Sequence, residues 1–128
     1  MLKIEIEVCL LPTNLRPRVY EGLILALKTA LTTAASLGEV KDDEIAVLMP
    51  RDLCRGRQTS ELVVHICGQF DDPQGTMARQ EQVCGIVYDT LVGFASQHMP
   101  NCKRITAMSQ NLRADGQVGR WLQYYGEG

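Results

Sequence analysis

From Lys3 to Leu10 the chain alternates, with Ile4, Ile6, Val8 and Leu10 on one side and Lys3, Glu5, Glu7 and Cys9 on the other. A period of two predicts a half-buried strand. Leu11-Pro12-Thr13-Asn14-Leu15-Arg16 reads as a turn, and Pro17 suits the first turn of a helix. Val19, Leu23, Ala26, Leu27, Ala30, Leu31, Ala34 and Leu37 then recur at three- and four-residue spacing, which predicts a helix closed by Gly38 as its cap. Ile45 to Met49 is wholly apolar and ends at Pro50, as expected of a strand buried on both faces.

A polar loop, Arg51 to Ser60, separates this half from the next. Glu61 to Cys67 resumes strand character, with Leu62, Val64 and Ile66 on one face and Val63, His65 and Cys67 on the other. Asp71-Asp72-Pro73-Gln74-Gly75 breaks it. Thr76 is placed to cap a second helix running to His98, with Val83, Val87, Leu91, Phe94 and Ala95 as its buried stripe. Pro100 ends that helix, and Arg104 to Met108 reads as a last strand.

The order is β-α-β, loop, β-α-β. Lys3 to Glu44 and Glu61 to Arg104 are nearly equal spans, which implies two equivalent βαβ units. Right-handed crossovers put both helices on one face of a four-stranded sheet, in an α/β (α+β) two-layer sandwich. The sheet's other face then stays open, with Glu5, Glu7, Val63, His65 and Cys67 on it, and its partly apolar character predicts oligomerisation. The segment 109–128 holds four Gly, Trp121, Tyr124 and Tyr125; it is expected to pack on the body or on a neighbouring subunit. The whole of 1–128 reads as a single domain.

Composition narrows the function classes. With 128 residues, 45% hydrophobic and 22% charged, the chain suits an ordinary globular domain. A net charge of −2 gives no basic excess for a phosphate backbone or an anionic membrane. The start, Met-Leu-Lys-Ile-Glu-Ile-Glu, lacks the order of a signal peptide, and 20–37 is interrupted by Glu21 and Lys28. The five cysteines form no C-x-x-C pair, so reduced thiols in a cytoplasmic setting are expected. Neither His65 nor His98 has a companion at metal-ligand spacing, and no phosphate-loop or nucleophile-elbow motif occurs, so no metal or cofactor is implied.

Two architectures share this element order. A ferredoxin-like domain joins its middle strands by a short hairpin, whereas here the residues 51–60 intervene. An RNA-binding version is disfavoured, since the first and third strands carry no exposed aromatic for base stacking. The stretch Glu44-Ile-Ala-Val-Leu-Met-Pro-Arg-Asp-Leu, the strand Leu62-Val-Val-His-Ile-Cys-Gly and the turn Leu11-Pro12-Thr13 resemble the tautomerase superfamily, which includes macrophage migration inhibitory factor and the hydroxymuconate isomerases. The resemblance covers residues 3 to 108. It implies a βαββαβ fold, a homotrimer and keto–enol isomerisation or binding of a small carboxylate or carbonyl compound. Enzymes of the family use an N-terminal proline as base or acid; residue 2 here is Leu2, which puts that mechanism in doubt.

The remaining amines near that position are the α-amino group of Met1 and the side chain of Lys3. The first titrates at about 8 in model peptides; the second starts at about 10.4 and needs desolvation or neighbouring positive charge to act as a base. Arg51, Arg55 and Arg57 crowd one loop and suit bidentate binding of a carboxylate or phosphate, and the same cations would lower the pKa of Cys54 and make it a thiolate nucleophile or redox sensor. The alternative is a solvated or subunit-interface loop that forms ion pairs with Asp52 and other acids. His65 either lines a site on the open face or serves as an interface or core histidine. Glu5 and Glu7 are expected to meet Lys or Arg across strands or subunits. Two readings follow, a tautomerase-like enzyme or binding protein and a non-catalytic trimeric binding or structural protein, with a ferredoxin-like regulatory domain as a third.

Overall fold

The computed structural model describes residues 4–34, 40–50, 61–68, 78–112 and 118–126. Strand β1 (Ile4–Cys9) buries Ile4, Ile6 and Val8 and exposes Glu5 and Glu7, as its alternation requires. Leu10 ends it with φ 69, a left-handed conformation that a branched side chain adopts only when its surroundings compel it. Here the compulsion is burial: Leu10 and Leu11 are both in the interior.

Helix α1 (Pro17–Thr32) begins with Pro17 at its first position and Val19 N–H bonded to the Arg16 carbonyl at 2.8 Å. Leu23, Leu27 and Leu31 form its buried stripe. The helix is shorter than the apolar pattern to Leu37 predicts. It stops at a threonine cluster, where the Thr29 carbonyl accepts from Thr33 N–H at 3.0 Å, Thr33 Oγ1 at 2.7 Å and Thr32 Oγ1 at 3.3 Å. Such hydroxyls compete with the helical ladder for the last carbonyls. Thr33 is the cap; the expected cap Gly38 lies outside the described residues.

A 3-10 turn, Asp42–Glu44, leads into strand β2 (Ile45–Leu48). This strand is not buried on both faces: Ile45 is buried, but Ala46 is exposed and Leu48 is 50% exposed. The reason is its place at the sheet edge with helices on one side only, which burial-by-pattern cannot distinguish from a central strand.

Strand β3 (Glu61–Gly68) repeats the alternation of β1, and helix α2 (Ala78–His98) buries Val83, Cys84, Val87, Tyr88, Leu91, Phe94 and Ala95. Its expected cap Thr76 lies outside the described residues. Strand β4 (Arg104–Leu112) runs four residues beyond the predicted end, and Val118–Gly126 adds a fifth strand, β5, antiparallel to β4.

The sheet order is β2-β1-β3-β4-β5. β1 is parallel to β2 and β3 to β4, while β1 and β3 meet antiparallel at the centre. The first four strands are thus two βαβ units related by a central antiparallel seam. The buried side chains of both helices and of the first four strands form one cluster, so both helices cover the same face. Since β1 and β3 oppose one another, so do the helices that follow them. Part of the segment expected to pack as a tail belongs to the chain's own sheet as β5. It lacks period-two patterning, which is why the sequence shows no strand there.

Within the core one polar group of side chains is enclosed. Gln80 Nε2 donates to Ser109 Oγ at 2.9 Å, and Cys84, one turn on from Gln80, bonds to the same hydroxyl. All three are buried.

Candidate functional site

The sheet face opposite the two helices is a ladder set by backbone register. Its central row runs Leu48, Glu7, His65, Met108 across β2, β1, β3 and β4, and the next row runs Ala46, Glu5, Cys67, Gln110. Glu5, Glu7, His65, Ala46 and Leu48 are exposed, and Cys67, Met108 and Gln110 are half-buried. His65 is therefore not a core histidine. The cross-strand positions beside Glu5 and Glu7 hold Cys67 and His65, not the Lys or Arg that pairing within the chain would need.

Met1 and Lys3 lie outside the described residues, as do Arg51, Arg55, Arg57 and Cys54. Their flanks are described, and those flanks lie at opposite ends of β1. Ile4, the start of β1, is in register with Ile45 at the beginning of β2 and Gly68 at the end of β3. The arginine segment leaves β2 after Leu48 and rejoins the sheet at Glu61, the beginning of β3. Because β2 is parallel and β3 antiparallel to β1, both anchors lie at the Cys9 end, the length of β1 away from Ile4. For a strand of this length that is about 17 Å. Strand pairing puts His65 between the two ends, opposite Glu7.

At the Cys9 end the described residues form a small pocket of about 200 Å³ lined by Leu11, Pro12, Thr13, Tyr20, Met49 and Pro50. Pro50 immediately precedes Arg51. Tyr20 organises this corner: its hydroxyl donates to the Pro12 carbonyl and accepts from Leu15 N–H at 3.2 Å. The sequence marked the two proline turns but not Tyr20, whose only signal was a polar-tipped aromatic one turn into a helix.

The described thiols are unsuited to nucleophilic work. Burial, assisted by the Glu7 carboxylate, pushes the Cys9 thiol up, and burial with Glu5 does the same for Cys67. Burial pushes Cys84 up to about 12 against a lowering from its bond to Ser109. For Cys102 burial also outweighs the backbone hydrogen bonds that favour the thiolate. All four stay protonated near neutral pH. Among the described residues no group of three His, Cys, Asp or Glu converges as metal ligands, and no helix is long and apolar enough to cross a membrane.

No protein-family model matches the chain, and no curated protein matches it in sequence. Solved structures do. A fused wild-type 4-OT, an asymmetric trimer, superposes with a TM-score of 0.58 at 13% identity, over 89% of this chain and 94% of that one. Native Ps01740 superposes with a TM-score of 0.54, also at 13% identity, over 90% of this chain and 99% of that one. These similarities and the paired βαβ units define the class: the chain has a tautomerase-like α+β fold. At such identity the likeness concerns the fold.

Proposed function

We propose that the protein is a tautomerase-like homotrimer that binds a small carboxylate- or carbonyl-bearing compound at the β1 N-terminus and interconverts its keto and enol forms. The observation that carries this reading is the pair of βαβ units joined at an antiparallel β1–β3 seam, in a chain that superposes on the fused 4-OT, an asymmetric trimer, with a TM-score of 0.58. In the proposed reaction a neutral amine, Met1 or Lys3, takes the proton alpha to the carbonyl. It returns that proton to the other end of the enolate, so no redox partner is needed. Arg51, Arg55 and Arg57 hold the carboxylate and steady the enolate oxygen. His65 faces the site from the sheet.

The opposed placement of Ile4 and the arginine anchors bears on this directly. A site that uses both the amine and the arginines is supported best when the loop comes from a second subunit. Trimerisation through the open sheet face supplies that subunit and covers Leu48. The test is turnover of phenylenolpyruvate and 2-hydroxymuconate by the wild type, by Lys3→Ala and by the Arg51, Arg55 and Arg57→Ala variants. Partial recovery of activity when inactive Lys3→Ala and inactive arginine-variant subunits are mixed into one trimer supports the shared site, and no recovery overturns it. Activity that survives both Lys3→Ala and N-terminal acetylation overturns the amine role.

A non-catalytic trimer is the second reading. It is favoured by the described residues, where the four thiols are protonated near neutral pH and the row Leu48, Glu7, His65, Met108 suits contact with another subunit. A stable trimer with no turnover of either substrate selects it.

A further inference from the structure

The helix layer carries a groove unrelated to the sheet face. It lies between α1 and α2, has a volume of about 480 Å³, and is walled by Arg18, Gly22 and Ala26 on one side and Gly93, Phe94 and His98 on the other. That volume is within the range of small-molecule sites. Two features of the groove are unexplained by the fold itself. Gly22 and Gly93 sit inside helices, where glycine destabilises relative to alanine. A Cβ on either would meet nothing within 4 Å, so neither glycine serves close helix packing. Their effect is to keep the groove open.

The second feature is charge. The first turn of α1 contains no acidic residue, and Arg16 and Arg18 stand at this helix start, where the helix dipole already disfavours cations. An anion seated there removes that conflict. Among the described residues no acidic side chain lines the groove, and His98 packs its ring against Phe94 with centroids 4.9 Å apart at the same end as Arg18.

We propose that this groove binds a small amphipathic monocarboxylate. Its carboxylate is held by the Arg18 guanidinium beside His98, and its aromatic or branched apolar body lies on Phe94 and Ala26 over the two glycines. This site is separate from the β1 N-terminus, and its test does not depend on turnover or on assembly through the sheet.

The probe is phenylacetate, with phenylacetamide as its neutral counterpart, titrated into the full chain and followed by amide and imidazole NMR signals. Saturable shifts centred on Gly22, Gly93 and His98 are expected for phenylacetate, with at least tenfold weaker binding for the amide. Arg18→Gln is expected to weaken phenylacetate at least tenfold and leave the amide unchanged. Gly93→Leu, and independently Gly22→Leu, fill the groove and abolish the shifts while thermal unfolding stays cooperative. Equal response to acid and amide, binding retained in both leucine variants, or dissociation constants above about 10 mM overturn the proposal. So do Gly22 and Gly93 signals that move with protein concentration alone, because a second copy then fills the groove.

Discussion

Glu7 and His65 stand opposite one another across β1 and β3, both exposed, in the middle of the sheet face that points away from α1 and α2. Directly opposed side chains on antiparallel strands interact, and like charges there are unfavourable. His65→Glu therefore places a second carboxylate beside Glu7 and near Glu5 on a surface proposed to meet another subunit. Sedimentation velocity is expected to show a shift from trimer to monomer for this variant, and no shift for Asp89→Asn on exposed helix surface. An unaltered trimer removes the sheet face as the interface.

The hydroxyl of Ser109 holds Gln80 in the first turn of α2 at 2.9 Å, inside the core. Ser109→Ala strips a buried amide of a partner, so a loss of about 1–3 kcal/mol is expected in urea unfolding. Combining it with Gln80→Leu should recover part of that loss, because both polar groups are then gone. A strictly additive double variant would show that the two side chains are not coupled.

Cys84 supplies a pH signature. Its thiol is raised from an ordinary 9.0 to about 12, so between those values the unfolded chain has released a proton that the native chain retains. Native protein binds more protons there, and stability falls as pH rises from about 9 towards 12, by up to about 1.4 kcal/mol per unit. Below about 9 the thiol contributes no slope. Denaturation midpoints measured across that range should flatten in Cys84→Ala, leaving the smaller slopes of Cys9, Cys67 and Cys102, which shift in the same direction.

Tyr20→Phe tests the corner at the end of β1. The variant keeps the ring but leaves the Pro12 carbonyl and Leu15 N–H without the hydroxyl that joins them. A destabilisation of about 1 kcal/mol is expected. Faster amide exchange at Leu15 should accompany it, with no change at Leu27 in the middle of α1. Unchanged exchange at Leu15 would show that the hydroxyl does not hold this turn.

Much of the fold was legible because burial here follows simple periods. Ile4, Ile6 and Val8 recur at two, as do Leu62, Val64 and Ile66, and Leu23, Leu27 and Leu31 recur at four; all nine are buried where the pattern put them. The errors have local causes. Ile45–Leu48 is an edge strand, and an apolar run has the same appearance at an edge as at a centre. The end of α1 was decided by Thr32 and Thr33, whose hydroxyls donate to the Thr29 carbonyl although the apolar stripe continues past them. Strand β5 gains its place by pairing with β4 and needs no alternation of its own.

The candidate site was legible only as residue types. Amines, arginines and a histidine can be named from the chain, but where their flanking residues lie is set by strand direction, which no short-range pattern encodes. Two βαβ units, their core faces and their helices follow from side-chain periodicity alone, because local geometry turns spacing into faces. The antiparallel β1–β3 seam put Ile4 and the anchors of the arginine segment at opposite ends of the sheet and set α1 against α2 in opposite directions. These relationships arise from long-range pairing and packing, and so only the tertiary structure decided them.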